Sequence, residues 1–206
     1  MDDFISYLQV RLKRALPGFS EQLKMAPEHR HQHIEIPTGV RHNGVLILLH
    51  SDPIYPQVVF TLRSTNLNDH SGQFCYPGGS VEPHETLEEA AIRELHEEIG
   101  VALPTDSMIG KLTPLYVPPS HNMIHPFLAY YRDLPELKLQ PEEVSEVLQV
   151  PLDDLINPEN VVVENWNYKG QNIDVPYWSL HRVPLWGATA MITSELAALY
   201  REFNGK

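Results

Sequence analysis

Apolar residues recur at helical spacing at both ends of the chain, whereas the middle carries short apolar runs. From Phe4 onward every fourth residue is apolar, which predicts a helix over residues 2–16. The same spacing predicts a C-terminal helix over residues 187–203. The run GVLILLH at 44–50 is apolar throughout and predicts a buried central strand, with its hairpin partner at 57–64.

Beyond residue 101 the pattern predicts further strands and two short helices. The predicted strands lie at 108–120, 121–134, 161–168 and 172–180. Pro118-Pro119 marks a turn between the first two of these strands. Pro141 is predicted to open one short helix that continues through Leu148, and Leu152–Leu155 is predicted to form the second.

The segment from Thr86 to Gly100 carries the clearest helix signals. Thr86 and Glu89 form a capping box, and Gly100 is the expected left-handed stop. At about 100° per residue, four side chains make one apolar stripe on this helix. They are Ala91, Ile92, Leu95 and Ile99.

Three acids, Glu94, Glu97 and Glu98, lie on the arc next to this stripe. Like charges repel at spacings of three and four residues, and the helix dipole disfavours anions in the last turns. Each effect is a few tenths of a kcal/mol to ~1 kcal/mol, but all have the same sign. A hard divalent cation would reverse them, and Mg²⁺ or Mn²⁺ suits oxygen ligands. The alternative interpretation is a solvated acidic face, but these acids adjoin the apolar stripe rather than oppose it.

Length and composition narrow the class of protein. A chain of 206 residues with 42% hydrophobic content and no internal repeat or linker predicts one domain over residues 1–206. No apolar run approaches the ~20 residues of a membrane span, and the acidic start is not typical of a secretory signal. A net charge of −12 argues against a nucleic-acid polymer as partner. The single cysteine, Cys75, excludes an internal disulfide and suits the cytosol. We therefore expect a cytoplasmic protein that binds no membrane, with a homodimer as one option for its oligomeric state.

The spacing of residues from Gly79 to Val101 is highly specific. It matches the Nudix hydrolase box at every specified position, namely Gly79, Glu85, Arg93-Glu94-Leu95, Glu97-Glu98 and Gly100-Val101. The chain therefore resembles the Nudix hydrolases, metal-dependent enzymes that cleave nucleoside diphosphates linked to another moiety. The resemblance implies an α/β (α+β) fold, in which a mixed β-sheet is sandwiched between α-helices and the box forms a loop, a helix and a loop.

The same resemblance assigns roles within the box. It implies that Mg²⁺ or Mn²⁺ is the cofactor and that the metal ligands are Glu94, Glu97 and Glu98, with the Gly79 carbonyl as a further candidate. Arg93 and Glu85 are expected to pair and to hold the loop onto the helix, one step removed from the metal.

A carboxylate must also take the proton of the attacking water. The two candidates for this base are Glu94 in the box and Glu143 on a later loop, where Nudix enzymes often carry an acid that reaches the metals. Glu142 and Glu146 compete with Glu143 for that loop position, and both are plausible as simple helix-start acids.

Residues 61–79 resemble the extra motif of the Nudix enzymes that cleave coenzyme A. The matching positions are Arg63-Ser64, His70, Gly72 and Pro77-Gly78-Gly79. Two positions depart from that motif, since Asn68 stands where the group usually carries arginine and Tyr76 where it usually has phenylalanine. Residues 186–190 resemble the same group. The resemblance implies substrate contacts from Arg63, His70 and Gly78.

We therefore expect metal-dependent hydrolysis of coenzyme A or acyl-coenzyme A to 4′-phosphopantetheine and adenosine 3′,5′-bisphosphate. Within the same chemistry, the substrate could instead be ADP-ribose or another nucleoside diphosphate derivative. From another class, the chain could be a ligand-sensing Nudix module without turnover, which would show a lost box carboxylate or an attached DNA-binding domain. Neither of those features is found in the sequence. The expected partner is a small-molecule nucleotide.

Overall fold

The structure is a computed structural model that describes residues 1–30, 35–51, 55–65, 72–104, 106–168 and 170–205. Both helices and strands occur in these ranges. The helices are α1 (Asp2–Arg11), α2 (Phe19–Gln22), α3 (Leu87–Ile99), α4 (Leu152–Ile156) and α5 (Gly187–Phe203). The strands are β1 (Arg41–Ser51), β2 (Pro56–Arg63), β3 (Phe74–Cys75), β4 (Gly78–Ser80), β5 (Met108–Lys111), β6 (Leu115–Val117), β7 (Asn122–Tyr130), β8 (Val144–Pro151), β9 (Val161–Tyr168), β10 (Gln171–Trp178) and β11 (Leu185–Trp186).

The long apolar run forms the centre of the main sheet, as predicted. β1 pairs antiparallel with β2 on one side and parallel with β7 on the other. β8 and β3 pair with β2, β4 pairs with β1, and β5 and β6 pair with β7. Within the described ranges these eight strands form one mixed sheet, and β9, β10 and β11 form a second, antiparallel sheet.

Helices cover both faces of the main sheet, because successive side chains of a strand point to opposite faces. On one face Leu46 of β1 shares a buried cluster with Leu95 of α3. On the other face Ile47 of β1 shares a cluster with Phe4 of α1 and Leu196 of α5. Each fully buried side chain of this kind contributes about 1.5–3 kcal/mol. This mixed sheet between helices confirms the predicted fold class.

The prediction of a helix from Pro141 through Leu148 is wrong. Residues 141–143 form a turn, and β8 follows it, with Val150 opposite Val58 of β2. Val144, Val147 and Val150 are β-branched, and such residues pack well on a pleated surface. Pairing with β2 therefore outweighs the local helix-start signal.

The two ends of the chain differ in how well their helices were predicted. The C-terminal helix spans 187–203, as predicted. α1 ends at Arg11 rather than at residue 16. The Arg11 Nη1 group donates to the Ala15 carbonyl at 2.8 Å, in the segment that follows the helix. Leu16 precedes Pro17, and a residue before proline disfavours helical backbone.

The segment predicted as one strand at 108–120 is divided into β5 and β6. Thr113 lies between them and donates both its backbone N–H and its hydroxyl to the buried carboxylate of Glu195 on α5, at 3.2 and 2.7 Å. These two bonds turn the backbone of Thr113 away from the sheet.

Candidate metal and substrate site

α3 begins and ends where its sequence predicts. Thr86 Oγ1 accepts the Glu89 N–H at 3.2 Å, and the Glu89 carboxylate accepts the Thr86 N–H at 2.8 Å. Gly100 closes the helix in the left-handed region at φ 76°. Ala91, Leu95 and Ile99 of the apolar stripe share a buried cluster with Leu46 and Leu48 of β1, and they carry the acidic arc to the edge of the core. Ile92, which was predicted to belong to the stripe, is only partly buried and lies outside that cluster.

Three carboxylates converge beside the last turns of α3. Glu94, Glu98 and Glu143 each place one carboxylate oxygen within 4.8 Å of the other two. Glu98 is buried, with 2% of the residue exposed, Glu94 is half-buried and Glu143 is exposed. Oxygen-only donor sets of this kind fit a hard divalent cation such as Mg²⁺ or Mn²⁺.

Glu98 is the most perturbed acid of the group. Burial, and secondarily the charge of Glu94, raise the pKa of its carboxyl to about 7. The Gly78 N–H and the Thr61 hydroxyl each donate to it at 3.3 Å, which opposes but does not cancel the cost of burial. A divalent cation held beside Glu98 would favour its anionic form.

Glu94 has a related environment. Burial raises the pKa of the Glu94 carboxyl, the hydrogen bond from Arg93 opposes that shift, and the charges of Glu97 and Glu143 add to it. The charge repulsion that the helical spacing predicts is therefore present at Glu94. Burial nevertheless contributes more than this repulsion to the raised pKa of the Glu94 carboxyl. The sequence placed these acids beside the apolar stripe without showing how deeply they are buried.

Glu143 reaches the group on a turn that is bound to the end of α3. The Lys138 and Gln140 N–H groups donate to the Ile99 and Glu98 carbonyls, each at 2.9 Å. The Ser64 N–H donates to the Glu143 carbonyl at 2.7 Å. The turn before β8 is thereby fixed between α3 and the end of β2.

The two competing acids on this segment lie elsewhere. Glu146 forms an ion pair with Arg182 at 2.6 Å, and its second carboxylate oxygen lies 3.1 Å from His181 Nε2. Glu142 is exposed and is not part of the three-carboxylate group. Among these three acids, the structure brings only Glu143 to Glu94 and Glu98.

Arg93 links the loop of the box to its helix. Its guanidinium donates to Glu85 at 2.9 and 3.1 Å, to Glu94 at 2.9 Å and to the Ser80 carbonyl at 3.2 Å. The hydrogen bond from Arg93 lowers the pKa of the Glu85 carboxyl. The expected pairing of Arg93 with Glu85 is therefore present in the structure.

Glu97, one of the acids expected to bind metal, has a different position from Glu94 and Glu98. Its side chain is 54% exposed, and its carboxylate accepts a bond from Arg93 at 2.9 Å. It does not belong to the three-carboxylate group. Its role as a metal ligand stays a prediction.

Gly79 lies against the group from the loop side. A side chain at this position would overlap the Glu94 carboxylate, so any larger residue here would displace that carboxylate from its present position. The strand that carries it, β4, pairs with β1, with Gly79 opposite Gly44. The role of the Gly79 carbonyl as a metal ligand also stays a prediction.

A cavity of about 280 Å³ lies beside Gly78, whose N–H donates to Glu98. Its wall includes Gly78 together with Arg63 and Cys75 at the ends of β2 and β3. Residues 186–189 also line it. The Arg63 Nε atom is shielded from solvent and has no hydrogen-bond partner among the described residues.

Sequence reasoning missed several residues of this site. Thr61, Asn43 and Asn122 lie on strands, and only the pairing of those strands brings them to Glu98 or to the cavity. No local sequence signal marks them. His70 and Asn68 lie outside the described residues, so the expected substrate contact of His70 stays a prediction.

Comparison with known proteins shows the family. The family model described as "NUDIX domain" matches residues 40–169. The human mitochondrial coenzyme A diphosphatase NUDT8 is 32% identical over 192 residues, which cover 90% of this chain and 75% of that protein. The peroxisomal coenzyme A diphosphatase ndx-8 of Caenorhabditis elegans is 34% identical over 128 residues, covering 59% and 55% of the two chains.

A solved structure supports the fold alone. The NUDIX domain of Shewanella oneidensis NrtR, in complex with ADP ribose, superimposes with a TM-score of 0.53 at 16% identity, covering 84% of this chain and 94% of that one. In the described part of our chain no helix is long and apolar enough to cross a bilayer. The two relatives are named as mitochondrial and peroxisomal proteins, so the cytoplasmic location stays a prediction.

Proposed function

Since this chain belongs to the Nudix family of diphosphate hydrolases, we propose that it hydrolyses coenzyme A or acyl-coenzyme A to 4′-phosphopantetheine and adenosine 3′,5′-bisphosphate. One observation carries the proposal. Two segments far apart in sequence, each of which resembles the coenzyme A group, contribute Arg63 and residues 186–189 to one cavity, and Gly78 in the same cavity wall donates to Glu98 of the carboxylate group.

Diphosphate hydrolysis in this family needs divalent cations, and the grouped carboxylates offer oxygen ligands for them. Glu94 and Glu98 would hold Mg²⁺ or Mn²⁺, with Glu97 and the Gly79 carbonyl as further candidates, and Glu143 lies close enough to act on a water bound there. Such a cation neutralises phosphate oxygens and lowers the pKa of bound water. The buried Glu98 carboxyl, whose pKa is about 7, supports this assignment because its ionised form is otherwise poorly stabilised.

The proton of the attacking water goes to a carboxylate of this chain. Glu143 is exposed and lies within the group, so it can accept the proton and release it to solvent. Glu94 is the second candidate, but its carboxylate already accepts a bond from Arg93. Positioned proton transfer of this kind contributes typically 10²–10⁴-fold. Water adds to phosphorus, the bond from that phosphorus to the bridging oxygen breaks, and the bridging oxygen leaves with the second phosphate.

Recognition of coenzyme A requires a local cation, because the chain as a whole has a net charge of −12. Arg63 is our candidate for the contact with the 3′-phosphate, since it lines the cavity and its Nε has no partner among the described residues. A charge-assisted hydrogen bond contributes roughly 1.5–3 kcal/mol. That energy corresponds to about a ten- to hundredfold preference over 3′-dephospho-coenzyme A.

The test is a comparison of kcat/KM for coenzyme A, 3′-dephospho-coenzyme A, ADP-ribose, NADH and nucleoside triphosphates. We expect coenzyme A to be the best substrate of the parent and Arg63→Ala to remove most of its preference over the dephospho compound. Arg132→Ala is the matched control, because Arg132 pairs with Asp2 on the surface, away from the cavity. Better cleavage of ADP-ribose or a nucleoside triphosphate than of coenzyme A would contradict the proposal.

A further inference from the structure

Two asparagines in the wall of the cavity have unpaired carboxamide oxygens. Asn43 lies on β1 and Asn122 on β7, and both line the cavity. The Oδ1 atom of each is shielded from solvent and has no hydrogen-bond partner in the described ranges. Arg41 lies opposite Asn122 in the parallel ladder, and Asn43 lies opposite Ile124. The two asparagines are therefore diagonal neighbours on one face of the sheet.

An unpaired buried acceptor is energetically unfavourable. Such a group loses its hydrogen bonds to water and gains none in return. Here two such acceptors lie in one cavity wall, on adjacent strands. The unfavourable free energy of burying them therefore arises twice in this wall. Both asparagines line the cavity, so rotation of each carboxamide about its side-chain torsion would turn its oxygen toward a ligand that brings N–H donors to this wall. The hydrogen bonds made there would relieve the cost of burial.

The rest of the wall indicates which part of a substrate enters. Val45 and Ile124 contribute apolar surface, and three aromatic side chains, Phe74, Tyr76 and Trp186, also line the cavity. At about 280 Å³ the cavity is at the lower end of the range of ligand pockets, roughly 300–1,000 Å³. It therefore suits one ring system rather than a whole nucleotide.

We propose that this cavity binds the adenine ring of the substrate, and that Asn43 and Asn122 select adenine by accepting from its N6 amino group. Asparagine pairs well with the adenine edge at N6 and N7, and bases stack favourably on aromatic side chains. Arg63 lies in the same wall, which suits a phosphate on the ribose attached to that base. The inference rests on the proposed function only in requiring an adenosine diphosphate derivative as substrate.

The experiment compares each substrate with its 6-oxopurine analogue, in which adenine is deaminated to hypoxanthine and the N6 donor is lost. The value measured is the ratio of kcat/KM for coenzyme A to that for deaminated coenzyme A, in the parent, Asn43→Ala and Asn122→Ala. We expect the parent to prefer adenine by roughly two- to tenfold for each hydrogen bond and each variant to lose its share. Because the ratio is taken within one protein, partial loss of folding cancels.

Asn172→Ala is the matched control. Asn172 is exposed on β10, where its Oδ1 accepts from Asn167 at 3.1 Å, and it does not line the cavity. We expect this variant to keep the ratio of the parent. Equal cleavage of both purines by the parent, or an unchanged ratio in Asn43→Ala and Asn122→Ala, would overturn the inference.

ADP-ribose and its 6-oxopurine counterpart separate this inference from the proposed function. A protein that cleaves ADP-ribose rather than coenzyme A, with the adenine preference lost in Asn43→Ala, would contradict the proposed substrate and support the adenine site. Variants that slow coenzyme A cleavage but leave ADP-ribose cleavage unchanged would assign the cavity to the pantetheine amides. That result would overturn the adenine assignment.

Discussion

Replacement of Glu98 by glutamine should stabilise the metal-free protein at neutral and alkaline pH while removing most activity. Glu98 is 2% exposed, and burial raises the pKa of its carboxyl to about 7 from 4.5. A glutamine retains one oxygen for the Gly78 N–H, and its amide group can bond the Thr61 hydroxyl, so the local hydrogen bonds are kept. The substitution therefore removes a charge without removing its partners.

The sign of the effect follows from proton linkage. Between pH 4.5 and 7 the folded protein holds a proton on Glu98 that the unfolded chain has released, so stability falls as pH rises. A folded pKa of about 7 against 4.5 corresponds to roughly 3 kcal/mol of lost stability. For a chain of this length, Tm changes by about 2–4 °C per kcal/mol, which predicts a difference of about 6–12 °C at pH 8.

Thermal unfolding in excess chelator at pH 5 and pH 8 measures this difference. We expect Glu98→Gln to exceed the Tm of the parent at pH 8 and to approach it at pH 5, where the parent carboxyl is largely protonated. Added Mg²⁺ should raise the Tm of the parent more than that of the variant. Glu97→Gln, on the same helix but 54% exposed, is the control. It keeps Glu98, so its Tm should follow that of the parent at both pH values. A Glu98→Gln protein that is less stable than the parent at pH 8 would refute the reasoning.

Three further predictions follow from the site. Exhaustive chelation should abolish hydrolysis and added Mg²⁺ or Mn²⁺ should restore it, whereas full turnover of a protein shown by metal analysis to be metal-free would exclude the carboxylates as essential ligands. Glu143→Gln should lower kcat by at least ~10²-fold if Glu143 is the base. Glu146→Gln should keep a kcat near that of the parent, because Glu146 is paired with Arg182. Equally small losses of kcat in both variants would assign the role of the base to Glu94. Gly79→Ala should lower kcat and weaken Mn²⁺ binding in a titration, because the added methyl group overlaps the Glu94 carboxylate, and parental Mn²⁺ affinity would show that this overlap is relieved without disturbing the site.

The helix of the box was the most predictable element. Its boundaries depend on local chemistry, the Thr86–Glu89 capping box and the left-handed Gly100, and both are present. The positions of the apolar residues also predicted that the acids lie on the helix surface next to the buried face. The sequence could not show that Glu98 is buried far more deeply than Glu97, because that depends on how closely Thr61 and Gly78 approach.

The segment after residue 140 shows where local reasoning failed. Pro141 followed by two acids is a reasonable helix start, yet β8 pairs with β2, a strand about 85 residues earlier in the chain. The same long-range pairing determines the place of Glu143, which was predicted from family resemblance and not from local pattern. Asn43 and Asn122 depend on strand pairing as well, so neither could be recognised as part of a site from the sequence.

The central claim, metal-dependent cleavage of coenzyme A at the diphosphate, is tested most directly by identifying the products by mass. The parent is incubated with coenzyme A in the presence of Mg²⁺ and, separately, with excess chelator. We expect 4′-phosphopantetheine and adenosine 3′,5′-bisphosphate in equal amounts with Mg²⁺ and intact coenzyme A with chelator. Intact coenzyme A in both samples, from a preparation that hydrolyses ADP-ribose or a nucleoside triphosphate, would contradict the claim.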